Sequence, residues 1–291
     1  METRSKADPL VAALRRPRYE VIPLDGTRDS VLEHVPTDVT LTVTASPVRG
    51  MEPTLALTER LTDRGYRVVP HLAARLVRDG SHLTEVLGRL DGAGVREVFV
   101  VAGDAPEAAG GFEGAVSLLR AMSNIGSSIE EIGVGGYPEG HPIIPEEDAA
   151  RSLEEKAVYA SRVVSQICFS PEVIEGWVGG MRDRGITLPL YIGIPAPVSN
   201  RKLLRVSSRI GLGESARFLR KHGNLLLRMF LPGGYSPDAL LNGLRPAVED
   251  ARNDIRGFHI YTFNELGGIE AWRKRIIESV ERGTEGKGYD E

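Results

Sequence analysis

The chain has 291 residues, 41% of them hydrophobic and 26% charged, enough for one large α/β barrel or two modest domains with a sizeable core. A net charge of −4, with acids and bases interspersed, argues against the basic stripe of a dedicated nucleic-acid binder. No apolar run reaches the ~18–20 residues of a membrane span, and the single Cys168 excludes an intramolecular disulfide, so a soluble cytoplasmic protein is expected.

Residues 1–18 read as a polar leader, because Leu10 to Leu14 is too short for a signal-peptide core. Tyr19-Glu-Val-Ile-Pro23 is a short strand, and residues 28–35 suit a short helix. Val39 to Ala45 is β-branched at almost every position, as in a buried strand, and a helix follows from Pro53 to Arg64. Strand Tyr66–His71 precedes a helix capped by Ser81, with Leu83, Val86, Leu87 and Leu90 at i, i+3, i+4 and i+7. Strand Glu97–Ala102 runs into Gly103-Asp104, and a helix from about Glu113 to Ser123 leads to the glycine-rich strand at 132–136. Helix 146–161 then feeds strand Val163–Phe169, which places Cys168 in a buried strand. Ser170-Pro171-Glu172 is a helix start with cap, N1 proline and a dipole-matched acid. Strand Leu188–Ile194, helical segments near 200–209, 213–222 and 237–251, strand Gly257–Thr262 and a helix carrying Ile269, Trp272, Ile276 and Val280 complete the order.

Eight strands alternating with helices predict an α/β fold, a single (β/α)8 TIM barrel over 19–282 with extra helical segments between the last two strands. A doubly wound sheet would need fewer strands or a domain break, and neither a linker nor a composition shift is present. Residues 283–291 read as a flexible tail.

In such a barrel, ligands meet the C-terminal ends of the strands. The residues there include Glu20, Thr44, His71, Asp104, Tyr137, Glu139, His141, Gln166, the 197–200 segment, Thr262 and Asn264. Their donors and acceptors suit a planar heterocycle, and their carboxylates suit proton delivery. Gly133-Val-Gly-Gly-Tyr-Pro-Glu-Gly-His-Pro142 fits a backbone opened for a ligand and a plain Pro/Gly turn about equally. Glu20 stands between Tyr19 and Val21, where a carboxyl is expensive unless used, and Gln166 among apolar neighbours points to a polar pocket. His259 and Tyr261 fit packing and binding equally. Gly211-Leu-Gly-Glu-Ser-Ala216 matches a dinucleotide pattern but follows a polar segment, which marks a chance match. No spacing of histidines or cysteines supports a metal.

In order, Tyr19-Glu-Val-Ile-Pro23, Val69-Pro-His-Leu72, Ala102-Gly-Asp104, Gly136-Tyr-Pro-Glu-Gly-His-Pro142, Ser165-Gln166, Pro197-Val-Ser-Asn200 and Phe258-His-Ile-Tyr-Thr-Phe-Asn264 resemble the blocks of methylenetetrahydrofolate reductases. The resemblance covers about residues 18–281 and implies a barrel enzyme that reduces 5,10-methylenetetrahydrofolate with NAD(P)H, normally through FAD. It implies catalytic roles for Glu20, on the general-acid position, and Asp104, beside the pterin. Substrate contacts fall on Gln166, Asp104, Tyr137, Thr262 and Asn264. Cofactor contacts fall on Thr44, His71, Gly103, Tyr137, His141 and Lys156. Several flavin-side positions depart from the family: Ala45-Ser-Pro47 where a tyrosine and glycine are usual, Ala102 for an arginine, and Ser152 and Glu155 for an asparagine and an arginine. Glu265 replaces an arginine expected near the folate tail. The pattern resembles the flavin-independent actinobacterial branch, in which NADH or NADPH is the direct hydride donor and FAD is not tightly bound. The alternatives are the ordinary FAD enzyme, a pterin-binding methyl transferase and a non-catalytic folate-binding partner. Neither a nucleic-acid nor a membrane partner is expected.

Overall fold

In the computed structural model, residues 8–141, 144–197 and 237–285 are described. Eight parallel strands close in sequential order, with β8 hydrogen-bonded to β1. They are β1 Arg18–Val21, β2 Thr40–Val43, β3 Val68–Ala73, β4 Glu97–Val101, β5 Glu131–Gly136, β6 Arg162–Ser165, β7 Leu190–Pro195 and β8 Ile255–Tyr261. The helices are α1 Pro9–Leu14, α2 Thr27–His34, α3 Glu52–Thr62, α4 Gly80–Gly92, α5 Ala115–Asn124, α6 Glu146–Ala157, α7 Pro171–Asp183, α8 Asp238–Gly243, α9 Arg245–Glu249 and α10 Ile269–Glu285. This is the expected (β/α)8 barrel.

Period-2 alternation sorts every strand. Tyr19, Val21, Leu41, Val43, Val98, Val100, Val134, Ile192, Ile194, Phe258 and Ile260 are buried in the layer shared with the helices. The opposite face holds Arg18, Glu20, His71, Glu97, Phe99, Arg162, Tyr191, His259 and Tyr261, which meet one another inside the barrel. The interior is therefore unusually polar and aromatic. Its rings need space, and glycines on neighbouring strands supply it. A Cβ on Gly133 would lie 2.9 Å from the Phe99 ring, and one on Gly257 would lie 2.9 Å from the Tyr191 ring. On the outer face, a Cβ on Gly136 would enter the Trp177 ring of α7. Two of the three β5 glycines thus serve packing, and the turn-or-ligand question at 133–136 resolves in part to close side-chain approach.

Local chemistry explains where other boundaries fall. Asp79, not Ser81, caps α4, its carboxylate accepting from the His82 amide at 2.8 Å. Ser170 caps α7 as expected, accepting from the Val173 amide. The expected helix at 237–251 is broken at Leu244, because Pro246 opens α9 and has no N–H to continue the ladder. Helix α6 ends at Ala157 rather than 161, and β6 ends at Ser165, leaving buried Cys168 just beyond the strand. The leader contains α1, whose Leu10, Val11, Ala13 and Leu14 are buried. It is tied down by Asp8, which accepts from the Leu10 amide and pairs with Arg245 at 2.7 Å. At the other end α10 continues through Glu285, past the expected start of a tail. The helical expectations at 200–209 and 213–222 lie outside the described residues.

Candidate active site at the strand C-termini

Glu20 sits on the inward face of β1, one residue from its end, in register with Thr42 of β2 and Tyr261 of β8. Its carboxylate Oε2 lies 3.2 Å from His259 Nε2 and 3.9 Å from His71 Nε2. Its backbone carbonyl accepts a short hydrogen bond from the Thr262 hydroxyl. Both histidines are buried, and among the described residues neither His71 Nε2 nor His259 Nδ1 has a hydrogen-bond partner. Burial pushes the His71 imidazolium down to about 4, outweighing the nearby Glu20 carboxylate, so His71 is neutral at physiological pH. Its ring packs 4.7 Å from Phe99.

The cluster continues across the barrel. Burial and the Glu20 and Tyr137 charges hold the Tyr261 hydroxyl well above its ordinary value, so it is a neutral donor; it reaches the Ser165 carbonyl at 3.3 Å. Burial and the nearby Asp104 carboxylate raise Tyr137 as well. The Tyr137 ring stands edge-on to His141 at 4.9 Å, and Lys156 Nζ lies 5.9 Å from its centroid while donating to the Gly135 carbonyl at 2.8 Å. Burial lowers the Lys156 ammonium to about 8. Gly103, at φ +88° and placed so that a Cβ would lie 2.9 Å from the Ala73 Cβ, turns the chain after β4 so that Asp104 is exposed at the mouth. Glu20, Asp104, Tyr137, His71, His141 and Lys156 thus converge on one end of the barrel.

The other predicted residues play different local parts. Gln166 is exposed just past β6, and its amide oxygen accepts from the Ile167 N–H. Thr44 is half-buried at the end of β2, its carbonyl accepting from Thr54. Thr262 is fully buried. Asn264, at φ +58°, accepts from the Ile22 amide and donates to the Ile22 carbonyl and Thr27 hydroxyl. These last two therefore spend their polar groups lacing the end of β8 to the end of β1, which fixes Glu20. Of the Pro197–Asn200 block, only Pro197 is described. His259, which the sequence left open between packing and binding, lies at hydrogen-bond distance from the Glu20 carboxylate; its signal was the inward register it shares with Tyr261. Among the described residues, no group of three or more His, Cys, Asp or Glu is arranged to hold a metal, and no helix is long and apolar enough to cross a membrane.

A (β/α)8 barrel with an inward acid, neutral aromatic donors and a carboxylate at its C-terminal mouth is a barrel of the enzyme type. Residues 27–213 match the sequence signature of the methylenetetrahydrofolate reductase family, and the chain belongs to that family. Methylenetetrahydrofolate reductase 2 of Saccharomyces cerevisiae is 26% identical over 174 residues, a match that takes in 56% of this chain and 26% of the yeast protein. The chain therefore aligns with about a quarter of the length of that curated relative. A Pseudomonas aeruginosa crystal structure, provisionally assigned as a dihydrodipicolinate synthetase, superposes with a TM-score of 0.44 at 9% identity, covering 92% of this chain and 79% of that one.

Proposed function

We propose that this protein reduces 5,10-methylenetetrahydrofolate to 5-methyltetrahydrofolate, taking hydride directly from NADH or NADPH without tightly bound flavin. Family membership supports the substrate class, and the observation that carries the reading is the setting of Glu20. A methylene carbon bridging two amines accepts hydride only after one of its C–N bonds opens, and the departing nitrogen then needs a proton. Glu20 is the carboxyl placed to give it: inward, mostly shielded from water, and oriented by His259. Its proton passes to that nitrogen as the bond breaks, and the resulting iminium carbon takes the hydride to become the methyl group. Asp104 and Gln166, at the ends of β4 and β6, supply acceptors and donors for the pterin edge. Tyr137, His141 and Lys156, gathered at the same end of the barrel, are the side chains that would meet the nicotinamide nucleotide.

The flavin-side residues fit an FAD pyrophosphate poorly. Ala45 and Ala102 carry no polar group, and Glu155 brings negative charge. Arg75, just past the end of β3, spends its guanidinium on the Ala105 and Pro106 carbonyls and on Glu113. Arg151 is exposed beside Asp148. Charged hydrogen bonds contribute about 1.5–3 kcal/mol each, so two missing cations weaken an anionic cofactor substantially. No step of the proposed reaction runs through flavin.

The test uses the purified protein, methylene-folate and deuterium-labelled NADH. Glu20→Gln is expected to reduce turnover by about 10²–10⁴-fold while circular dichroism stays native. Deuterium should reach the product methyl group without washing out into solvent. Near-native turnover in Glu20→Gln would remove the acid from the mechanism, and activity that depends on added FAD would remove the direct transfer.

A further inference from the structure

The opposite end of the barrel holds a second site that the proposed reaction does not use. The strand N-termini open onto a cavity of about 400 Å³, within the size range of small-molecule sites. Six of its thirteen lining residues are arginines, namely Arg15, Arg16, Arg18, Arg67, Arg162 and Arg256, against two carboxylates, Asp38 and Glu131. At its base Glu97 is buried and holds three of them: Arg18 at 2.5 and 3.2 Å, Arg162 at 2.6 Å and Arg67 at 2.9 Å. Arg162 and Arg67 also bridge to Glu131.

This base is rigid. Arg18 is 4% exposed, stacks 4.4 Å over the Tyr191 ring, and its buried Nε–H has no hydrogen-bond partner among the described residues. A guanidinium carries five N–H donors, so two carboxylates, Glu97 and Glu131, shared among Arg18, Arg67 and Arg162 leave donors over. The rim is more open: Arg67 and Arg256 are more than half exposed, Arg256 pairs with Asp254 at 2.5 Å and Arg15 with Glu281 at 2.6 Å, and no ion pair holds Arg16 among the described residues. A floor of fixed cations with exposed arginines above it matches the geometry that recognises tetrahedral oxyanions by forked hydrogen bonds. The cavity volume, with Arg16, Arg67 and Arg256 exposed around it, suits two linked phosphates better than one.

We infer that this cavity at the N-terminal end of the barrel binds a diphosphate group, either free pyrophosphate or the diphosphate of a nucleotide. Since the inference rests on the arginines at the strand N-termini and on no residue of the reductase reading, it stands or falls separately from that reading. The experiment is calorimetry of the full chain with pyrophosphate, ADP and inorganic phosphate, each without NADH, whose own diphosphate would compete for the site. Pyrophosphate should bind, with phosphate weaker. The double variant Arg16→Gln/Arg256→Gln, which touches only exposed side chains, should weaken pyrophosphate by about tenfold or more. Asp38→Asn, which removes a rim carboxylate, should tighten it. ADP matching pyrophosphate assigns the recognition to the diphosphate itself, and ADP binding more tightly assigns the source to a nucleotide. Equal affinity of wild type and the double variant, or no heat from pyrophosphate at millimolar concentration, overturns the site.

Discussion

Replacing His71 by phenylalanine should remove a definite part of the protein's acid sensitivity. The imidazole is buried against Phe99, and burial lowers it from 6.5 to about 4. The unfolded chain binds this proton below about pH 6.5, whereas the folded chain binds it only near pH 4. The contribution is thus fully present above pH 6.5 and is lost as the pH falls through about 4. The difference of roughly 2.5 pKa units is worth about 3 kcal/mol. Phenylalanine keeps the ring volume and does not titrate. Urea unfolding of both proteins between neutral pH and pH 4 should show wild type losing about 3 kcal/mol relative to His71→Phe, with the loss beginning near 6.5. Carboxylates elsewhere titrate in both and cancel. Glu20 lies close enough to be perturbed, so the pair is repeated in a Glu20→Gln background. A stability difference that stays constant across the window would refute the buried, neutral imidazole.

Two further substitutions probe the interior. Glu97→Gln leaves buried Arg18 and Arg162 without their carboxylate and should cost about 3–5 kcal/mol, lowering the melting temperature on the order of 10 °C by circular dichroism; a loss below about 1 kcal/mol would mean that the floor is wet. Lys156→Met should abolish a pH dependence at the alkaline side. Burial lowers the ammonium from 10.5 to about 8, so the penalty for holding that charge is full below pH 8 and fades as pH rises to 10.5. Wild type should gain on the variant across that window in urea titrations, and a gap that does not change would place Lys156 in water.

Much of this architecture was legible in the chain because the outward strand residues and the helix stripes obey simple periods. Leu83, Val86, Leu87 and Leu90 are all buried on α4, as their spacing required. Helix α1 was missed because six residues with basic flanks carry little periodic signal; only Asp8-Pro9, a cap followed by an N1 proline, announced it. The floor was unreadable for another reason. Arg18, Glu97 and Arg162 begin three different strands, each looks like a solvated charge beside a loop, and only closure of the barrel brings them within 2.6 Å of a shared partner.

Glu20 shows how a correct inference can rest on the wrong neighbours. Tyr19 and Val21 made its strand look apolar, yet both point outward, Tyr19 to Glu270 of α10 and Val21 into the helical layer. The surroundings that decide its chemistry come from β3 and β8: one neutral imidazole, a second imidazole at hydrogen-bond distance, and a tyrosine that stays protonated. Those groups are invisible to a reading of adjacent residues, because parallel strands bring together positions far apart in sequence. What the sequence does record is parity. Glu20, His71, His259 and Tyr261 all fall on the inward alternation of their strands, and the same parity puts Arg18 and Glu97 beneath them. The inward face of β1 therefore carries Arg18 of the ionic floor at its start and Glu20 of the proton-handling cluster near its end. The two are separated by a single turn of the pleat, which lets the floor hold β1 rigid where Glu20 must be aimed.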